Sequence, residues 1–83
     1  MNAIDEIKLQ DEGRQLALSP DELARSLGIS RAHLFRLHSA GKLPKPVRFG
    51  RSVRWPVREI ERWLSAGCPP RERWEEFLKN GRL

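Results

Sequence analysis

The stretch Ser19-Pro20-Asp21-Glu22-Leu23-Ala24-Arg25-Ser26-Leu27-Gly28-Ile29-Ser30-Arg31-Ala32-His33-Leu34-Phe35-Arg36-Leu37-His38-Ser39 decides the fold. Its first four residues start a helix. Ser19 caps it, Pro20 suits the first helical position where no amide is needed, and Glu22 completes a Ser-x-x-Glu capping box. Leu23, Ala24 and Leu27 recur at helical spacing and supply a buried stripe. Gly28 ends the helix, because it takes the left-handed backbone of a tight turn without steric cost. Ser30 then caps a second helix that runs to about Ser39. A short helix, a glycine-containing turn of about three residues and a second helix predict a helix-turn-helix.

Downstream, Gly41 and Pro44 stop the second helix, and Pro46 keeps the chain extended. Val47-Arg48-Phe49 and Val53-Arg54-Trp55 alternate apolar and basic with period two around Gly50-Arg51-Ser52, which predicts a β-hairpin. A three-residue loop gives it one apolar face: Phe49 lies opposite Val53 and Val47 opposite Trp55. Arg48 then pairs with Arg54 on the other face, with Arg51 at the tip. Pro56 opens a third helix with Val57, Ile60, Trp63 and Leu64 at helical spacing, ended by Gly67. Pro69 and Pro70 start a last helix carrying Trp74, Phe77 and Leu78, closed by Gly81. Upstream, Leu16-Ala17-Leu18 is a short apolar lead-in. Residues 1–15 read as a polar, flexible leader in which Ile4, Ile7 and Leu9 define no face.

At 83 residues the chain has room for one domain with a modest core, and 39% hydrophobic residues with three Trp and three Phe suffice to fold it. No apolar run approaches the roughly 18 residues of a membrane span, and the acidic N-terminus is unlike a signal peptide. These features point to a soluble, cytoplasmic protein. Cys68 is the one cysteine, which excludes an internal disulfide and a Cys-cluster metal site. The net charge of +5 is segregated: residues 1–13 hold four acids and one base, leaving +8 on the rest. The stretch from Arg31 to Arg58, both included, holds eight bases and no acid. A solvated surface normally mixes both signs, so a single-sign block implies a polyanionic partner, with nucleic acid first and an anionic membrane surface second. The Arg48–Arg54 pairing points the same way, since like charges facing each other across strands are destabilising unless an anion sits between them.

Several motifs together carry a family resemblance. They are Ser19-Pro20-Asp21-Glu22-Leu23-Ala24, Leu27-Gly28-Ile29-Ser30-Arg31, Leu34-Phe35-Arg36-Leu37, Gly41-Lys42-Leu43-Pro44, Val47-Arg48-Phe49-Gly50-Arg51, Trp55-Pro56 and Ile60-Glu61-Arg62-Trp63-Leu64. In this order they resemble the helix-turn-helix domain of the excisionase and AlpA-like prophage regulators, relatives of the MerR group. The resemblance spans Leu18 to Leu64, and Lys45-Pro46-Val47 leans towards the AlpA-like branch. It implies a winged helix-turn-helix, mainly α with a small β-hairpin, that reads a major groove with its second helix and lays the wing on the adjacent minor groove. It implies bacterial or phage-derived, nucleoid-associated proteins without enzyme activity, which either regulate promoters or direct a recombinase at attachment sites. The expected organisation is a leader (1–15), a winged DNA-binding domain (16–66) and a C-terminal amphipathic helix (67–83) packed on the domain or a partner.

On a helical wheel, Leu34 and Leu37 face the core with His38 beside them, while Ala32, Arg36 and Ser39 point away. The candidate DNA-reading residues of the second helix are therefore Ser30, Arg31, Ala32, His33 and Arg36. Arg36 suits a bidentate contact to guanine or a phosphate, and Ala32 suits close approach to a thymine methyl. His38 reads as a packed structural histidine. In the wing and its approach, Lys42, Lys45, Arg48, Arg51 and Arg54 are candidates for backbone contacts, Arg51 also for the minor groove. The bland alternative is a solvated helix face, but such a face normally includes acids and this one has none. Phe49, Trp55 and Trp63 read as core rather than as a base-stacking platform, whereas Trp74 and Phe77 cover the core or meet a partner. No carboxylate pair, phosphate-cradling loop or activated nucleophile can be assembled, so no catalytic site, cofactor, metal or small-molecule ligand is expected. The expected partner is double-stranded DNA, with self-association or a recombinase as further options.

Overall fold

The computed structural model describes residues 15–81, so the leader read from the sequence lies outside the described residues apart from Gln15. The order of elements is β1 (Ala17–Leu18), α1 (Pro20–Leu27), α2 (Arg31–Ser39), β2 (Val47–Phe49), β3 (Ser52–Pro56), α3 (Val57–Ser65) and α4 (Arg71–Asn80). This is the expected winged helix-turn-helix. The capping box closes as read: the Glu22 amide donates to Ser19 Oγ at 3.2 Å, and the Ser19 amide donates to Glu22 Oε1 at 2.8 Å. Such a cap is worth about 1 kcal/mol. Gly28 takes φ 72° and ψ 29°. Its amide donates to Arg25 O at 3.1 Å while the Ile29 amide donates to Ala24 O at 3.0 Å. This Schellman pair reverses the chain and turns Ile29 back onto the core. The same pair of bonds ends α2 at Gly41-Lys42 and α3 at Gly67-Cys68.

The sheet contains a strand that the sequence did not announce. Leu18 pairs with Trp55 and Ala17 with Pro56, which makes β3 the central strand in the order β1-β3-β2. Two residues are too short to display an alternation, so the apolar lead-in carried no strand signal.

The hairpin register differs from the expected one. Val47 lies opposite Arg54, Arg48 opposite Val53 and Phe49 opposite Ser52, around a two-residue Gly50-Arg51 loop. Arg48 and Arg54 are therefore on opposite faces rather than paired, and Val47 and Phe49 share the face of Arg54 rather than that of Trp55. The physical reason lies in the turn and in what underlies it. Gly50 adopts φ 62° while Arg51 stays out of the positive-φ region. That is the pattern of a two-residue type II′ turn, whose twist matches that of the flanking strands. The expected register presumes a core beneath both strands. All three residues of β2 are exposed, so among the described residues no core rewards turning Val47 and Phe49 inward.

The core gathers Leu23, Leu34, Leu43, Ile60 and all three tryptophans. Each indole finds an acceptor, as a buried tryptophan requires. Trp55 Nε1 donates to Pro44 O at 2.8 Å, Trp63 Nε1 to Pro69 O at 2.8 Å, and Trp74 Nε1 to Glu59 Oε2 at 2.9 Å. These bonds tie two proline-rich connections and α4 to the centre of the molecule. Trp74 is fully buried and stacks on Phe77 at 5.0 Å, and the Arg62 guanidinium lies 5.6 Å from the Phe77 ring.

Candidate nucleic-acid interface

Helix α2 divides as the helical wheel requires. Leu34 is fully buried, Leu37 and His38 are half-buried, and Arg31, Ala32, His33, Arg36 and Ser39 are exposed. Ser30 fixes the start of the helix by accepting the His33 amide at 3.0 Å. Ala32, Phe35, Arg36, Ser39 and Ala40 line a shallow, open concavity on the outward side. No acid lies on this helix, and its exposed face carries Arg31, paired to Asp21 of α1, together with His33 and Arg36.

Arg31 is held in the free protein. Its Nη1 donates to both Asp21 carboxylate oxygens, at 3.0 and 3.2 Å, and its guanidinium sits 5.4 Å from the Phe35 ring. Both partners of the ion pair are largely exposed, and such pairs contribute only about 0–1 kcal/mol. Exchanging Asp21 for a phosphate therefore costs little. The pair keeps Arg31 oriented across the first turn of α2.

The wing carries its bases in three directions. Arg51 is at the tip and exposed. Arg54 is half-buried and donates from Nη1 to Val53 O at 2.7 Å. It lies on the α1 side, near enough to help hold the Glu22 carboxyl below its ordinary range, an effect led by the hydrogen bond from the Ser19 amide and that from Gln15. Arg48 is exposed on the other face, towards the end of α2. Lys42 and Lys45 are exposed on the connection between α2 and the wing. The structure thus puts the eight-base run on α2, its following loop, the wing and the first turn of α3.

One determinant was missed by sequence reasoning. Arg71, at the start of α4, reaches back 28 to 33 positions. Its Nε donates to Leu43 O at 2.9 Å, and its Nη2 donates to His38 O at 3.0 Å and lies 3.0 Å from His38 Nδ1. The Arg71 amide also donates to Gly41 O at 2.9 Å. His38 meets the Trp55 ring edge-on at 5.5 Å. Burial, followed by the Arg71 and Arg48 charges, pushes the His38 pKa below 6.5. The neutral imidazole can accept from Arg71, so this cluster bolts the end of α2 to the root of the wing. No local pattern around Arg71 marks it, because its acceptors are mostly backbone carbonyls of a distant turn.

Among the described residues no group of His, Cys, Asp and Glu could hold a metal ion, and no helix is long and apolar enough to cross a membrane. A sequence profile for the helix-turn-helix domain matches residues 17–68, more than half of the chain. The chain belongs to this family of DNA-binding helix-turn-helix domains, and the excisionase and AlpA-like resemblance read from its motifs holds. Comparison with curated proteins and with solved structures returned no match. The family fold is a non-enzymatic, DNA-binding one, and its partner is double-stranded DNA.

Proposed function

We propose that this protein is a sequence-specific reader of double-stranded DNA that acts as a transcriptional regulator. The observation that carries the reading is the exposed face of α2, cationic and free of acids, beside a wing tipped by Arg51. In this reading Ser30, Arg31, Ala32, His33 and Arg36 meet the major groove, with Arg36 contacting a base edge. Lys42, Lys45, Arg48 and Arg54 hold phosphates, and Arg51 enters the minor groove. A recombination directionality factor built on the same fold would use the same contacts. It would differ in assembling with a recombinase at attachment-site DNA.

The test is fluorescence-anisotropy binding to a pool of duplexes at several salt concentrations, with a random-sequence control. Tight binding to a subset of sequences, falling steeply with salt, is expected. Arg36→Ala should cost about 1–3 kcal/mol and relax base preference at one position. Arg48→Ala, which removes a phosphate contact, should weaken all duplexes alike and lower the log–log salt slope by about 0.9. Equal losses on specific and random DNA for both variants would refute this division of roles. Weak binding indifferent to sequence and salt would refute the function itself. Co-precipitation of a recombinase on the selected site would favour the directionality role over the regulator.

A further inference from the structure

Phe49 is 65% exposed, and Val47 on the same strand is 40% exposed. The observed register places both on the hairpin face that carries Arg54, immediately behind the Gly50-Arg51 turn. Among the described residues Phe49 is left mostly in water and Val47 partly so, at the end of a basic ribbon. Their neighbours say what would cover this pair. Arg51 and Arg54 flank it with positive charge, and the only surface that pairs apolar walls with two rows of phosphates at close spacing is a nucleic-acid groove.

The dimensions agree with this occupant. The minor groove of B-DNA is about 6 Å wide and 7.5 Å deep, and paired strands lie about 4.8 Å apart. A step along a strand is about 3.3 Å, so the Phe49–Ser52 pair sits roughly one such step behind the tip. Arg51 therefore cannot descend into the groove without carrying Phe49 against its wall or floor. Proteins that enter the minor groove commonly insert an apolar side chain between base pairs, at the cost of partial unstacking, and the flexible pyrimidine–purine steps yield most readily.

We propose that Phe49 is a minor-groove wedge: its ring, steered by Arg51, packs between the sugar walls and partly unstacks one pyrimidine–purine step. The inference rests on the DNA-binding reading above and adds to it a specificity determinant that contacts no base edge. Phe49 selects the step by deformability, while α2 reads its site by hydrogen bonds. Val47 lies behind it as the second apolar contact.

The experiment uses the full chain and the duplex enriched from the pool, with 2-aminopurine placed in turn at each adenine beneath the wing. This base fluoresces more strongly when it is unstacked. Wild-type protein should brighten one position several-fold, and Phe49→Ala should return it to the level of free duplex. Removing a phenylalanine ring that the groove buries predicts binding weaker by about ten- to a hundredfold, with the preference set by α2 retained. Phe49→Leu, which keeps an apolar wedge, should restore much of both signals. Phe49 is exposed, so both variants should keep the wild-type circular dichroism spectrum and melting curve. Binding without brightening at any position, or Phe49→Ala binding as wild type does, would overturn the wedge and leave the DNA reading intact. A change of oligomeric state in Phe49→Ala without a change in duplex affinity would assign the patch to a second copy instead, and also overturn it. Failure of wild-type protein to bind any duplex would overturn the DNA reading first and the wedge with it.

Discussion

Replacing Arg71 by Met tests whether α4 braces the second helix of the helix-turn-helix or merely covers the core. Methionine keeps the unbranched stem and its packing but removes every donor. Two donated hydrogen bonds disappear, to Leu43 O at 2.9 Å and His38 O at 3.0 Å, together with the 3.0 Å approach to His38 Nδ1. Bonds from a charged donor are worth about 1.5–3 kcal/mol when intact. Arg71 is half-buried and the freed carbonyls regain some water, so the expected net loss is about 2–3 kcal/mol. For a domain of this size that corresponds to a fall in Tm of about 10 °C or more. Lysine should not rescue it, because a single ammonium cannot span three acceptors as the guanidinium fork does. Urea denaturation followed by circular dichroism measures the loss, and repeating it between about pH 5 and 7.5 separates the mechanism from simple packing. The folded-state pKa of His38 lies below its ordinary 6.5, so between the two values the unfolded chain binds more protons. Stability should therefore be level above pH 6.5 and fall as pH drops from there towards the folded value. Removing the Arg71 charge should move the folded value up and narrow that window. A Tm within about 2 °C of wild type, or an unchanged pH dependence, would refute the bracing role.

The remaining predictions concern the scaffold. Ser19→Ala should destabilise the protein by about 1 kcal/mol, lowering Tm by about 4–8 °C in a calorimetric scan, because it opens the capping box at the entrance to the helix-turn-helix. Trp74→Ala should cost about 3–5 kcal/mol in the same scan, since it empties a fully buried site and leaves Glu59 Oε2 without its indole donor. A loss under about 1 kcal/mol would show instead that α4 is dispensable to the core.

The mechanical logic of the molecule joins these tests. Helix α2 is fixed at its start by Ser30 and at its end by the Gly41 turn and Arg71, so its exposed residues project from a rigid rod. The wing is fixed only at its root, where Trp55 is buried and bonded to Pro44, while β2 stands clear of the core. In the function proposed above, a braced helix beside a projecting ribbon suits base-edge recognition by the first and adaptation to groove shape by the second.

Much of this was legible in the sequence because its causes are local. Ser19, Pro20 and Glu22 announce a helix start, Gly28 a left-handed turn and Ser30 a second start, and all of them act within a few residues of themselves. The outward face of α2 followed from the 3.6-residue period once Leu34 was recognised as buried. The run of bases from Arg31 to Arg58 narrowed the partner to a polyanion, since charge sign needs no coordinates. Tertiary structure decided what depends on distant neighbours. Strand β1 exists because β3 offers it an edge, not because Ala17 and Leu18 alternate with anything. Phe49 and Val47 point outward because the described residues put no layer beneath β2 and the Gly50 turn closes over two residues rather than three, and alternation alone cannot tell which face of a ribbon has a core behind it. Arg71 clamps His38 across 33 positions, an arrangement that exists only after α4 has docked through Trp74.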